Sequence, residues 1–502
     1  MRMNIRNMWM MTGLAACCCM AAPVQAVETA PVETEDDAGW AFNAGGDFRL
    51  RQEMMDNIPG NPGHPYSIST ARRGKNANHF RIRPRVWFQI EGGPFRLYTR
   101  IGDEFREHVV KNGVKRKRRS YTFPDEVYLD NLYLDGKGLT ADWLASLGVE
   151  EFDFRAGRQD MMEVVDGGLH GLYGLDRILG DGTPVDGSRT IFADMIRLRF
   201  HLDEIRKLDA FFIYNNGRNN LRWGNRQSRG RSMNPINMAD DNQMDEWGGG
   251  LVYSDAAFDR HLPFEVYTVF KRNEEYTATV LGEKKPAKEL TTVGALLKPQ
   301  FNDNWGMVLE GAKQFGRILN GNRQAGGYMG YLEVDYRPDT LKAYKPVLAW
   351  CNTYYSGDRH RTEDDDNDTA WDPLWARHCR ESEMLVYGNL YGNCYWSNML
   401  YTYPKLTMNF GRHHGFYVYS GPMFAMVQDG LGHADGTGDS LYKGWLSAAR
   451  YDFPIRLAPQ NATGWDRFEF FGHVVAELFN PGDYFDSSKP AYFFRWQVDM
   501  KF

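Results

Sequence analysis

The chain has 502 residues, of which 42% are hydrophobic, 14% aromatic and 25% charged, and its formal net charge is −6. Beyond the N-terminal leader, no apolar run approaches the roughly 20 residues that a membrane-spanning helix needs, which argues against a helical membrane protein. By length alone the chain could form two or three soluble domains. No linker or shift in composition divides it, so we expect one large domain.

The N-terminus has the features of a secretory signal peptide. Arg2 and Arg6 supply the positive start, Met8 to Met20 the apolar stretch, and Val24 to Ala26 a small-residue cleavage site. The residues before Cys17 also fit a lipoprotein box, so lipidation of Cys17 stays open. The predicted organisation is a signal peptide over 1–26, a lead-in over 27–39 and an outer-membrane β-barrel over 40–502.

From Trp40 to the end, segments of about ten residues alternate between apolar and polar side chains. A side-chain period of two predicts a strand with two faces in different solvents. Ile82 to Ile90 is an early example, and Tyr492 to Phe502 a late one that ends the chain on Phe. Each signal is weak alone, as in all membrane barrels, but it recurs along the whole chain. The 27 Tyr, 30 Phe and 14 Trp residues suit the aromatic girdles of such a barrel.

Short turns and long polar stretches alternate between these segments, as a barrel requires. The exception is Gly136 to Gly148, which is longish on the short-turn side and contains a predicted helical turn from Ala141 to Leu147. Eighteen strands result if Met384 to Tyr387 lies in a loop, and nineteen otherwise, with sixteen the nearest alternative. We therefore predict an all-β fold: one transmembrane antiparallel barrel of about 18 strands in the bacterial outer membrane, around an aqueous channel.

Arginine is the most informative residue type, because it recurs on the polar face of the predicted strands. Guanidinium groups stay charged at physiological pH and bind carboxylates in a forked geometry, so a lumen lined by them attracts anions. The alternative is that they pair with lumen acids such as Glu53, Glu91 and Asp153 for structure alone. Pairing does not explain the bias toward the first half of the barrel. The predicted solute-binding residues are Arg49, Arg81, Arg83, Arg85, Arg96, Arg100, Arg155, Arg158, Arg197 and Arg199.

Two charged runs fall in predicted loops. The basic run Lys115 to Arg119 could form an anion funnel, contact lipopolysaccharide phosphates, or simply be solvated. It has no aromatic stacking platform, so we do not expect nucleic-acid binding. The acidic residues Asp364, Asp365 and Asp366 could hold Ca²⁺ in an extracellular loop, although they lack EF-hand spacing. No other cofactor is predicted.

The cysteines and the search for enzyme motifs add little. Three of six cysteines lie in the leader, and Cys379 and Cys394 could close one loop, which would leave Cys351 free. The sequence contains no nucleophile elbow, zinc-binding helix or phosphate loop. A paired-carboxylate glycosidase remains compatible with the number of acidic residues.

The chain resembles the alginate export family of outer-membrane porins in several motifs. The motifs that carry the resemblance are Asp47-Phe48-Arg49-Leu50-Arg51, Gly157-Arg158-Gln159 with the later Asp186-Gly187 and Arg189, Tyr355-Ser356-Gly357-Asp358 with Trp371-Asp372-Pro373-Leu374, and Trp396-Ser397-Asn398. The resemblance implies an eighteen-stranded barrel with an electropositive lumen that passes an anionic polysaccharide, and loops that obstruct the pore. The lumen residues that it implies are Arg83, Arg85, Arg100, Arg155, Arg158 and Arg197. The sequence departs from the family pattern around Gly180-Asp181-Gly182 and from Cys379 to Cys394.

Together these features predict a monomeric channel, not an enzyme, for diffusion of anionic solutes. Candidate solutes are an acidic polysaccharide such as alginate, its oligomers, or small anions, and the barrel would be surrounded by outer-membrane lipid and lipopolysaccharide. Two alternatives stay open: a surface barrel enzyme acting on lipid or glycan, and an adhesin or structural barrel with a plugged lumen.

Overall fold

The computed structural model describes most of the predicted barrel. The described residues are 39–57, 77–103, 105–108, 126–160, 192–215, 222–224, 245–256, 262–278, 283–319, 323–359, 367–375, 382–384, 397–411, 413–428, 440–459, 464–485 and 489–502. The predicted signal peptide and most of the lead-in therefore lie outside them.

Eighteen wall strands, counted over the described residues, pair antiparallel with their neighbours in the chain. They are β1 (Ala41–Asp56), β2 (Ala77–Gly92), β3 (Phe95–Gly102, extended along β2 by Phe105–His108), β4 (Glu126–Leu139), β5 (Glu151–Asp160), β6 (Phe192–His201), β7 (Arg206–Asn215), β8 (Glu246–Asp255), β9 (Phe264–Asn273), β10 (Lys288–Leu297), β11 (Trp305–Ile318), β12 (Tyr328–Tyr336), β13 (Val347–Tyr355), β14 (Met399–Phe410), β15 (His414–Phe424), β16 (Tyr442–Arg456), β17 (Glu469–Pro481) and β18 (Ala491–Lys501).

The last strand closes the barrel on the first. β18 pairs antiparallel with β1 from Asp47 opposite Lys501 to Asp56 opposite Tyr492. The backbone N–H of Gly46 donates to the carbonyl oxygen of Phe502 at 3.1 Å, and the N–H of Phe502 donates back at 3.2 Å. Closure satisfies the edges that an open sheet would leave unpaired, and it confirms the predicted all-β barrel of 18 strands.

The two faces of the wall differ as the alternation predicts. On β18 the side chain of Tyr492 is 50% exposed and that of Phe494 is 39% exposed, whereas Arg495 is fully buried inside. Leu97 on β3 and Leu251 on β8 continue the apolar outer surface. An apolar exterior around a charged interior is the arrangement of a transmembrane barrel of the outer membrane, and we assign the chain to that location.

The short connections gather at the rim where β1 begins and β18 ends. The predicted helical turn is present there as a helix over Asp142–Ala145, and 3₁₀ helices cover Asp339–Tyr344 and Gly464–Arg467. In the turn between β6 and β7, the backbone N–H groups of Arg206 and Ile205 lower the pKa of the Asp203 carboxyl. Among the described helices, none has the length and apolar character required to cross a membrane.

Candidate solute pathway

Nine of the ten predicted arginines face the interior, and one does not. Arg155 and Arg197 lie directly opposite each other on the inner faces of β5 and β6. Arg158 is three positions from Arg155 and therefore lies on the other face, opposite Leu132 on β4 and Asp194 on β6. Its predicted position in the lumen is wrong, because an odd spacing along a strand reverses the face.

Pairs of inner arginines share single carboxylates. Asp135 on β4 is bridged by Arg155, whose Nε lies 2.6 Å from Oδ1, and by Arg96 of β3. Asp209 on β7 accepts from Arg197 and from Arg199, both at 3.0 Å. Each of these two carboxylates is thus shared by two arginines.

The same arrangement recurs at the seam between β1 and β2. Asp47 lies 2.9 Å from Nε of Arg85 and 3.6 Å from Nη2 of Arg83. Further from the rim of short turns on the same strands, Glu53 lies 2.9 Å from Arg51 and 3.6 Å from Arg81. The structural pairing considered from the sequence is therefore real, and at this seam too one carboxylate lies close to two arginines.

Some arginines also face each other directly across strand pairs. Arg49 lies opposite Arg83, and Arg51 lies opposite Arg81. Like charges directly opposite each other destabilise a sheet, and Glu53 offsets the repulsion between Arg51 and Arg81 because it lies close to both.

Arg495 of β18 was not among the predicted solute-binding residues, although the alternation of the closing strand places it inside. Its Nη1 lies 3.8 Å from Glu53 and 3.0 Å from Glu383, so it extends the basic surface across the closing seam. The inner arginines become less exposed with increasing distance from the rim of short turns. The side chain of Arg96 is 26% exposed near the rim of short turns, whereas those of Arg51 and Arg81 are 1% exposed.

Far from the rim of short turns, where Arg51 and Arg81 are buried, the connection between β13 and β14 folds into the lumen. On one side of the barrel, Nζ of Lys288 lies 3.2 Å from Asp368 and 3.1 Å from Asp372. Nζ of Lys271 donates to the carbonyl of Leu374 at 2.5 Å. Burial raises the pKa of Asp372, but the charges of Lys288 and Lys271 outweigh it and bring the pKa to about 2.

The same connection is anchored to the far side of the barrel. Glu477 on β17 accepts from Oγ of Ser382 at 2.5 Å and from the N–H of Met384 at 2.9 Å. Nη1 of Arg495 donates to Glu383 at 3.0 Å. We call the described parts of this connection, 367–375 and 382–384, the inward segment. Because its two parts contact nearly opposite walls, the inward segment narrows the lumen. Met384 lies in it and not in a wall strand, as the count of eighteen requires.

Tyrosines rather than arginines cover the inner wall of β14 and β15. The rings of Tyr401 and Tyr403 stack with centroids 4.3 Å apart, and Tyr403 lies 5.2 Å from Tyr419. Sequence reasoning missed this cluster, although the spacing of two between Tyr401 and Tyr403, and again between Tyr417 and Tyr419, carried the signal. The lumen is therefore asymmetric, with a basic wall and an aromatic wall.

Several predicted loop features lie outside the described residues. These are the basic run Lys115–Arg119, the possible Ca²⁺ ligands Asp364, Asp365 and Asp366, and the cysteines Cys379 and Cys394. Within the described ranges, no three carboxylate, histidine or cysteine side chains gather as a metal site would need. Cys351 is a free thiol, buried with Sγ 3.6 Å from Oε2 of Glu333.

No family model and no curated protein matches the sequence. The fold is similar to solved outer-membrane channels. A BenF-like porin from Pseudomonas fluorescens has 10% identity and a TM-score of 0.49, with 92% of this chain and 98% of that chain covered. OccAB2 of Acinetobacter baumannii has 10% identity and a TM-score of 0.48, with the same coverage. OccK11 of Pseudomonas aeruginosa has 8% identity and a TM-score of 0.44, with 91% and 95% covered.

These likenesses are too distant to indicate a solute. The assignment of the fold rests on the strand register and on closure of β18 onto β1. The distinctive feature of the inner face is a carboxylate shared by two arginines, as Arg197 and Arg199 of β6 share Asp209 of β7.

Proposed function

We propose that this barrel is a channel for diffusive passage of anionic solutes, among them an acidic polysaccharide such as alginate or its oligomers. The observation that carries the proposal is the sharing of one carboxylate by two arginines on the inner wall of the first seven strands, seen at Asp47, Asp135 and Asp209. Passage of this kind requires binding groups and no covalent chemistry.

In the proposed mechanism the arginines replace water around the carboxylate of a passing solute. A guanidinium can donate two parallel hydrogen bonds to a carboxylate, which compensates for lost hydration. The wall carboxylates compete for the same donors, so each contact stays weak enough to release the solute to the next arginine. The more exposed arginines near the rim, Arg85, Arg96 and Arg155, would be met first from that side.

The test is ion selectivity of the refolded protein in planar bilayers. Arg83, Arg85 and Arg100 all act electrostatically on Asp47, and replacing the three by Ala should abolish anion preference. Replacing them by Glu should reverse it. The matched control replaces three outward-facing arginines, Arg158, Arg272 and Arg317, and should leave selectivity unchanged.

The solute class is tested separately with oligouronates as current blockers. Block by oligouronates, with weaker block by neutral oligosaccharides of the same length, would support the acidic-polysaccharide assignment. An anion-selective channel that oligouronates do not block would leave small anions as the solutes.

The inward segment favours one alternative, a barrel whose lumen is plugged and whose loops bind partners. Trp371 and Trp375 of this segment are almost fully buried, as in a packed interior. An intact barrel that has no conductance, and that conducts only after the inward segment is deleted, would support that alternative over the channel.

A further inference from the structure

The outer face of β11 carries basic side chains where an apolar surface is expected. Lys313, Phe315 and Arg317 alternate with the buried Ala312 and Gln314, so they share the lipid-facing side. Below them on the same face, Leu309 is exposed to lipid. A cation on the lipid face is costly at the bilayer midplane and much less costly near the interface.

The strand geometry gives the height of these residues. Trp305 begins β11 at the rim of short turns, and its ring lies 4.8 Å from that of Tyr336, as expected of an aromatic girdle. Lys313 is eight residues further on. At a rise of about 3.4 Å per residue and a tilt of about 40°, it stands about 21 Å above Trp305, and Arg317 about 31 Å. The apolar band is about 25 Å tall, so Arg317 lies beyond its upper edge and Lys313 lies about 4 Å below that edge, within reach of the interface for a long side chain.

A second aromatic pair marks the same level on the neighbouring strands. The rings of Trp247 on β8 and Phe270 on β9 lie 5.4 Å apart on the outer face near the long-loop rim. Tyr328 at the start of β12 is also exposed there. Nζ of Lys313 lies 3.5 Å from the centroid of the Tyr328 ring, a cation–π contact. Among the described residues, Lys313 has no carboxylate partner.

Further charges lie beside Lys313 on this surface. Glu289 on β10 is shared by Nη1 of Arg272 at 2.7 Å and Nε of Arg317 at 3.1 Å. Arg272 also pairs with Glu274 at 2.8 Å. The three cations Arg272, Lys313 and Arg317 therefore lie beside two carboxylates, those of Glu274 and Glu289. The side chain of Arg317 is 60% exposed. The surface keeps a net positive charge and an accessible guanidinium.

We propose that this surface, formed by Arg272, Lys313, Arg317 and the ring of Tyr328, binds the phosphate of an acylated glycolipid in the outer leaflet, the lipid A part of lipopolysaccharide. Guanidinium groups bind phosphate in a forked geometry, and the lysine adds a point charge. The aromatic rings place the headgroup boundary at the height of the cations. The site faces lipid, so it is independent of what passes through the lumen.

The test uses the full-length refolded barrel in detergent, with diphosphoryl lipid A as the probe and native mass spectrometry to measure the bound fraction. The site variant is Lys313→Gln with Arg317→Gln. The matched control is Lys342→Gln with Arg456→Gln, which removes two exposed cations from the opposite rim. A basic side chain near an anionic surface strengthens binding about fivefold, so the site variant should bind lipid A about thirtyfold more weakly. The control should bind as the unmodified protein does.

Dephosphorylated lipid A separates phosphate recognition from acyl-chain contact, and it should bind the unmodified protein no better than it binds the site variant. The single variant Arg317→Gln alters only an exposed side chain, and it replaces the double variant in this test if the double variant does not fold. It should weaken binding about fivefold. Equal binding of lipid A to the site variant and the control, or equal binding of the phosphorylated and dephosphorylated lipids, would overturn the proposal.

Discussion

Asp209 offers the sharpest test of the shared-carboxylate arrangement, through the substitution Asp209→Asn. The carboxylate is buried and accepts hydrogen bonds from Nε of Arg197 at 3.1 Å and from Nε of Arg199 at 3.0 Å. Asparagine keeps the shape but removes the charge, which leaves two buried guanidinium groups without their common counter-ion. Removing one partner of a buried ion pair costs about 3–5 kcal/mol. We expect the free energy of unfolding to fall by about that amount.

The assay is urea-induced unfolding of the refolded barrel in lipid vesicles, followed by tryptophan fluorescence. Asp194→Asn is the matched control, because Asp194 is half exposed on the outer face and lies 4.0 Å from Arg158. It should cost about 1 kcal/mol or less. If Asp209→Asn were no more destabilising than Asp194→Asn, the arginines would not depend on the shared carboxylate, and the reasoning would fail.

Two further predictions concern the inward segment and a strained glycine. The pKa of Asp372 falls from 3.8 to about 2, so its anchor to Lys288 should hold fully above pH 3.8 and weaken only as the pH falls toward 2. Asp372→Asn should therefore raise single-channel conductance at pH 7, where the anchor of the unmodified protein is fully charged; a variant that conducts like the unmodified protein would contradict this. Gly157 has a φ of +130°, and an added Cβ would lie 2.3 Å from the carbonyl oxygen of Leu132. Gly157→Ala should lower the free energy of unfolding by about 1–3 kcal/mol, and an unchanged urea midpoint would refute the strain.

Alternation of side chains predicted the wall because it is a local property of each strand. The strand from Tyr492 to Phe502 has the faces that its sequence indicates. The same property shows the one error among the arginines, since Arg155 and Arg158 differ by an odd number of positions. Face assignment by the two-residue period would have separated them.

The position of the inward segment inside the lumen could not be predicted from side-chain alternation. The contacts of Lys288 with Asp372 and of Arg495 with Glu383 join residues far apart in the chain. No local pattern marks a polar connection as one that folds inward. The sharing of Asp209 by two arginines likewise depends on the register between β6 and β7, which alternation does not fix.

The zero-current potential of the refolded protein in a planar bilayer under a KCl gradient tests the central claim most directly. If the arginines on the inner wall of the first seven strands select anions, the potential has the sign set by chloride, and it moves toward zero when Arg83, Arg85 and Arg100 are replaced by Ala. A potential of the sign set by potassium, or one that the triple variant leaves unchanged, would contradict an anion channel.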